Sequence, residues 1–104
     1  MSVLSAQRFT QILTQQYQTC RNKLNQEQLR DLDEKIEQLL IDPSPPLTKA
    51  LQGSLRGKHT VRFAGNPYRP SHRLIITISW NTGTIRFLYL APRSDVYTPS
   101  LQMW

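Results

Sequence analysis

The feature that most constrains the fold of this chain is a pair of alternating side-chain patterns that predicts a β-hairpin. Residues 72–80 alternate along the chain, and residues 84–90 repeat the alternation in the opposite direction. Asn81-Thr82-Gly83 between them is typical of a tight turn, because glycine adopts positive φ without strain. The side chains predicted to face the core, with Trp80 counted among them, are Leu74, Ile76, Ile78, Trp80, Ile85, Phe87 and Tyr89.

Two stretches of helical periodicity precede the hairpin. Apolar side chains recur at steps of three or four over residues 5–24 and again from Asn25 to Asp42. Asn25 is a helix cap with the capping-box glutamine three residues later, and Pro43 ends the second helix. The two patterns predict an antiparallel helix hairpin with one apolar face on each helix.

The remaining segments complete the predicted architecture. His59–Phe63 alternates as a strand, whereas residues 47–57 indicate a turn or an irregular segment and residues 64–71 a loop. Val3-Leu4 is a candidate edge strand. The predicted fold class is α+β, with an N-terminal antiparallel helix hairpin packed on one face of a small, mostly antiparallel sheet of three to four strands, in a single domain spanning residues 1–104.

Composition narrows the class of protein. No window approaches the roughly 20 apolar residues that a bilayer span needs, and no secretion signal is visible at the N-terminus. The single cysteine, Cys20, cannot form an internal disulfide and reads as a small core residue on a helix stripe. The sequence therefore predicts a cytoplasmic protein that does not enter a membrane.

Charge is distributed unevenly along the chain. Residues 1–42 carry five basic and six acidic side chains, whereas residues 43–104 carry eight basic side chains and one acid, Asp95. Such a one-sided basic half favours a polyanionic partner, and arginine, which binds phosphate through a planar fork, outnumbers lysine in it. A basic surface that only keeps the protein soluble is the alternative.

Strand parity predicts where the arginines point. If the helices cover the face that carries Val61 and Phe63, then Arg62, Arg73 and Arg86 project from the opposite, open face. Like charges on a rigid sheet repel one another, so an anionic ligand is one reason for their presence there. Partners from elsewhere in the chain are another reason, but this half of the sequence offers only one acid.

Four segments together resemble the RelE/ParE superfamily of bacterial toxins. Leu51–Gly57 is similar to the family's L-x-G-x-L-x-G segment, and His59–Phe63 to the basic strand that follows it. Arg73–Ile76 resembles the strand that opens with arginine, and Arg93–Tyr97 the C-terminal R-S-x-V-Y ending. All four occur in the family's order behind two predicted helices.

The resemblance implies one of two activities. RelE-like toxins cleave mRNA in the ribosomal A site by attack of a ribose 2′-hydroxyl on the adjacent phosphate, without a metal or another cofactor, whereas ParE-like toxins inhibit DNA gyrase. A non-catalytic RNA-binding module is the third possibility. The RelE-like branch is the expectation here, with a cognate antitoxin, the ribosome and mRNA as partners and the oligomeric state left open.

The resemblance also implies roles for individual residues. Arg62 would hold the scissile phosphate, and Arg73 would stabilise the charge on the pentacoordinate phosphorus. Arg93 would neutralise the leaving oxygen, and Tyr97 would stack on a base or take the 2′-hydroxyl proton.

Departures from the family pattern concern proton transfer more than phosphate binding. Thr60 stands where a basic residue is common, and His72 where an aromatic one is common. His59 and His72 are therefore candidate proton-transfer residues, with His59 expected on the open face. The predicted additional RNA contacts are Arg56, Lys58, Arg69 and Arg86.

Overall fold

A computed structural model describes residues 8–66 and 69–92, without the side chains of residues 66 and 69. The sheet order is β1-β5-β4-β3-β2; β1 is parallel to β5 and the other pairs are antiparallel. The α+β class is confirmed, but the sheet formed by these described residues has five strands and is mixed. The elements are β1 Thr10–Leu13, α1 Gln15–Arg21, α2 Gln26–Ile41, β2 Thr48–Ala50, a 3₁₀ turn Gly53–Leu55, β3 His59–Asn66, β4 Arg69–Ser79 and β5 Thr84–Pro92.

The predicted helix over residues 5–24 is wrong at Thr10–Leu13, which forms a strand. Thr10–Leu13 pairs in parallel with the start of β5, so sheet pairing overrides the helical spacing there. Thr14 then begins α1: its hydroxyl accepts from the Tyr17 N–H (3.2 Å) and donates to the Phe87 carbonyl (2.8 Å). The predicted N-terminal helix hairpin is therefore a strand followed by two helices.

The second predicted helix is confirmed with its cap. The Asn25 side chain accepts from the Gln28 N–H (2.8 Å), and the Gln28 side chain accepts in return from the Asn25 N–H (3.0 Å). The helix ends at Ile41, with Asp42 as its C-cap directly before Pro43. Its buried residues are Leu32, Ile36, Leu39 and Leu40.

Both helices pack on one face of the sheet, here called the helix-covered face. Tyr17 of α1 meets Phe87 of β5 edge to face, with the ring centroids 5.2 Å apart. The strand side chains buried on this face are Val61, Phe63, Leu74, Ile76, Ile85, Phe87 and Leu90. No helix among the described residues is long and apolar enough to cross a membrane.

A β-bulge changes which way the end of β5 faces. Ile75 is opposite Tyr89 and Ile76 is opposite Phe87, so Leu88 is an extra residue in β5. The predicted placement of Tyr89 beside Phe87 is therefore wrong, because the bulge reverses the alternation and turns Tyr89 to the other face. There it belongs to a second apolar cluster, formed by Leu51, Leu55, Ile75, Tyr89 and Ala91.

Three smaller expectations also need correction. The predicted loop 64–71 is mostly strand, since β3 continues to residue 66 and β4 begins at residue 69. The segment 47–57 contains β2 as well as the 3₁₀ turn. Trp80 is 59% exposed rather than in the core, and its ring lies edge-on to Phe9 at 5.4 Å.

Candidate nucleic-acid interface

Arg62 and Arg73 lie directly opposite each other in the antiparallel β3–β4 pair. Opposed residues share a face of the sheet, with Cα atoms about 5 Å apart. Their neighbours Val61 and Leu74 are buried under the helices, so both arginines belong to the other face. The predicted meeting of these two arginines is therefore confirmed, and their face is called the arginine face below.

The arginine face is less open than expected. Arg62 is exposed, but Arg73 is only 2% exposed. The second apolar cluster occupies the same face, because Ile75 follows Arg73 by two residues and is fully buried with Tyr89. An anionic ligand that approaches this face would meet Arg62 first.

Arg86 shares the face but not the site. It is opposite Thr77, four residues along β4 from Arg73, which corresponds to roughly 13 Å along the strand. Ile75 and Tyr89 lie between these two positions. The three arginines therefore share one face of the sheet, as expected, but only Arg62 and Arg73 lie opposite each other and Arg86 stands apart from them.

Neither histidine lies on the arginine face. His59 is opposite Ile76, and His72 is opposite Phe63, so both have the parity of the helix-covered face. The predicted position of His59 on the open face is therefore wrong. The His72 ring lies 5.4 Å from that of Phe63, its Nδ1 is 2.8 Å from the Ser71 Oγ, and desolvation lowers its pKa.

An α2 carboxylate supports the strand that carries Arg62. The Ala64 N–H donates to the Asp31 carboxylate, which also pairs with Lys35 at 3.3 Å. Ala64 has a φ of 61°, a left-handed conformation that is unfavourable for alanine. β2 pairs only with residues 59–61 of β3, so Asp31 binds a part of β3 that β2 leaves uncovered. Sequence reasoning missed this contact, since nothing in the periodicity distinguishes Asp31 from the other acids of α2.

Ion pairs neutralise charges on the helix side of the molecule, whereas several basic side chains on the sheet side have no such pairs among the described residues. The three pairs among the described residues all join α2 acids to basic residues at or before position 35: Arg8–Glu37 (2.8 Å), Arg21–Asp33 (2.8 Å) and Lys35–Asp31 (3.3 Å). No acid occurs between residues 43 and 92. Within the described ranges, the basic side chains with no ion pair on the sheet side are Lys49, Arg56, Lys58, Arg62 and Arg86.

Lys49 is a basic residue of this surface that sequence reasoning missed. It lies opposite Thr60, which shares the arginine face with Arg62, and it is exposed. The alternation of Thr48, Lys49 and Ala50 was the available signal, but three residues are too few to distinguish a strand from a turn.

Several predicted residues fall outside the described part of the chain. Arg93, Tyr97 and the edge strand Val3-Leu4 lie outside it, as does the side chain of Arg69. Among the described residues, no group of three or more His, Cys, Asp or Glu side chains is placed to hold a metal ion.

In the described part of the chain, two helices pack on one face of a mixed five-stranded sheet, and the opposed arginines lie on the other face. Solved structures with a similar fold identify the fold class. The chain is similar to the toxin–antitoxin complex RelBE2 from Mycobacterium tuberculosis (TM-score 0.68, 23% identity, 83% of this chain and 99% of that chain). It is similar to the isolated E. coli RelE toxin (TM-score 0.65, 14% identity, 91% and 97%) and to a YoeB/ParE toxin from Agrobacterium tumefaciens (TM-score 0.66, 12% identity, 81% and 98%).

The sequence comparisons add nothing to this result, since no protein-family model and no curated protein matches the chain. The resemblance to the RelE/ParE superfamily is confirmed at the level of the fold: the protein has the RelE fold.

Proposed function

We propose that the protein is the toxin of a type II toxin–antitoxin module and that it cleaves mRNA on the ribosome. The observation that carries the proposal is the opposed pair Arg62 and Arg73 on the face away from the helices, in a chain with the RelE fold. Basic side chains without ion pairs on the same side of the molecule support a polyanionic substrate. A protein that only binds another protein has no need of such a pair.

The proposed reaction is an intramolecular transfer at one phosphodiester. The ribose 2′-oxygen forms a bond to phosphorus while the bond to the 5′-oxygen breaks, which leaves a 2′,3′-cyclic phosphate and a 5′-hydroxyl. The exposed Arg62 would hold the phosphate, and Arg73, once the substrate reaches it, would stabilise the added negative charge. Tyr97, in its phenolate form, would accept the 2′-hydroxyl proton, or it would stack on a base. Arg93 would neutralise the leaving oxygen, which takes a proton from water to become the 5′-hydroxyl.

The positions of the histidines bear on proton transfer. His59 and His72 have the parity of the opposite face, and the His72 ring is held between Ser71 and Phe63. Proton transfer is therefore assigned first to Tyr97, with the histidines as secondary candidates. A cognate antitoxin is the proposed partner, in line with the toxin–antitoxin complexes among the similar structures.

The test is the mapping of mRNA 5′ ends by primer extension in a translating extract to which the protein is added. We expect cuts in phase with codons, which disappear when ribosomes are removed. Tyr97→Phe and Arg73→Ala should each lower the cleavage rate by about 10² to 10³. Lys23→Ala, which removes an exposed charge on the helix side, is the control and should cleave normally.

Two other results would reject the proposal. Intact mRNA together with trapped gyrase–DNA complexes would make the protein a gyrase inhibitor. Intact mRNA and no gyrase effect, with salt-sensitive RNA binding, would make it an RNA-binding module.

A further inference from the structure

A groove of about 580 Å³ lies where the chain passes from β2 through the 3₁₀ turn into β3. The Leu51 N–H donates to the Lys58 carbonyl (2.9 Å), and the Lys58 N–H donates to the Leu55 carbonyl (3.1 Å). The Arg56 N–H donates to the Gly53 carbonyl at 3.1 Å. These hydrogen bonds hold the backbone of the turn that carries Arg56 and Lys58. The two basic side chains therefore flank the groove from a constrained turn.

The groove is open above its backbone. Gly53 and Gly57 line it with φ values of 67° and 91°, conformations that favour glycine. A Cβ added at either position would meet nothing within 4 Å. The two glycines thus serve the turn geometry rather than close packing, and the space over them is available to a ligand.

The charge and polarity of the lining suit an anion. Arg56 and Lys58 make no ion pair with any described residue, and no acid occurs between residues 43 and 92. His59 also lines the groove, and its Nδ1 is buried with no hydrogen-bond partner in the described chain.

The groove is separate from the arginine pair. His59 precedes Arg62 by three residues, roughly 10 Å along β3, and has the opposite parity in the strand. The residues that line the groove do not include Arg62 or Arg73, so a phosphate bound there makes a different contact from a phosphate at Arg62.

We propose that this groove binds a second backbone phosphate of single-stranded RNA, through Arg56, Lys58 and His59. Its identification with RNA rests on the proposed function, whereas the chemistry recognised is a phosphate group. Two points of attachment on one RNA strand would determine which phosphodiester is placed at Arg62.

The experiment measures binding of a single-stranded 2′-O-methyl RNA, which lacks the attacking hydroxyl, by fluorescence anisotropy over a range of salt concentrations. The R56Q/K58Q variant should bind roughly tenfold more weakly at moderate salt. Its slope of log K against log[salt] should be shallower by roughly 0.7, the value for one lost phosphate contact on a single strand. The control, K23Q/R30Q, also removes one lysine and one arginine, both exposed and on the helix side, and should keep the wild-type slope.

Each possible result of the binding experiment either supports or overturns the groove proposal. Equal losses in the two double variants, or an unchanged slope in R56Q/K58Q, would overturn the groove proposal even if mRNA is cut. Loss of slope in R56Q/K58Q alone supports the groove, and it does so even if the mapping assay finds no cleavage and the proposed function fails. A thermal unfolding midpoint like that of the wild type shows that a variant is folded.

Discussion

The helix side and the sheet side of this protein carry charges of opposite sign, and they differ in how many of those charges form ion pairs within the chain. α2 bears five acids, three of which pair with basic residues of the N-terminal third. On the sheet side, Arg62, Arg86 and the groove cations have no ion pair among the described residues. Charge on the helix side is largely compensated within the chain, whereas the charge of these sheet-side cations is not compensated by ion pairs among the described residues.

This difference in charge between the two sides would orient the protein relative to a polyanion. We therefore expect the outer surface of α2 to repel a polyanion and the opposite side to attract it, so that the arginine face turns towards the polyanion. The proposed binding surface lies on the side of the sheet away from the larger apolar cluster, although the second apolar cluster is on that side as well.

The largest expected effect is on the arginine face. Arg62→Glu should lower mRNA cleavage by about 10³, because it removes the exposed cation of the opposed pair and introduces repulsion of the phosphate. Arg30→Glu makes the same charge change on exposed α2 and should leave the rate within about twofold, apart from a small loss from long-range repulsion. Equal losses in the two variants, measured by primer extension, would show that only net charge matters and would break the comparison.

Sequence alone located this pair but not its surroundings. The alternation of side chains in β3 and β4 placed Arg62 and Arg73 on one face, since period-2 patterns are local and survive folding. It could not place Tyr89, because the bulge at Leu88 depends on pairing with β4. It also missed β1, whose strand conformation comes from pairing with β5, more than 70 residues later in the chain.

A second contrast concerns the two apolar clusters. Leu39 is fully buried between α2 and the sheet, and Leu39→Ala should lower the free energy of unfolding by about 3 kcal/mol. Leu51 is 8% exposed in the smaller cluster beside the open groove, so water can fill the space and Leu51→Ala should cost about 2 kcal/mol. Urea unfolding measures both. A larger loss from Leu51→Ala would mean that the sheet side, rather than the helix side, carries the main core.

A smaller effect is expected at Asp31, the α2 carboxylate that accepts a hydrogen bond from β3. Asp31→Ala leaves the Ala64 N–H without its acceptor and should cost about 1 kcal/mol in urea unfolding. Glu34→Ala is the matched control, because Glu34 is an exposed α2 acid without an ion pair in the described chain, and it should stay within about 0.5 kcal/mol. Equal losses of unfolding free energy in the two variants would show that the Asp31–Ala64 hydrogen bond adds no stability, so that apolar packing alone would hold β3 against α2.

The smallest expected effect is the part of the pH dependence of stability that comes from His72. Desolvation lowers the pKa of His72 in the folded protein, so the unfolded chain binds its proton more readily. The resulting stability is complete above the ordinary histidine pKa of about 6.5 and falls as the pH drops below it. From pH 7.5 to 5.5 the free energy of unfolding should fall by less than about 1 kcal/mol, and His72→Gln should remove that part of the fall. If His72→Gln keeps the wild-type slope, the ring between Ser71 and Phe63 is not the group that titrates, and the pH dependence in this window belongs to other parts of the molecule.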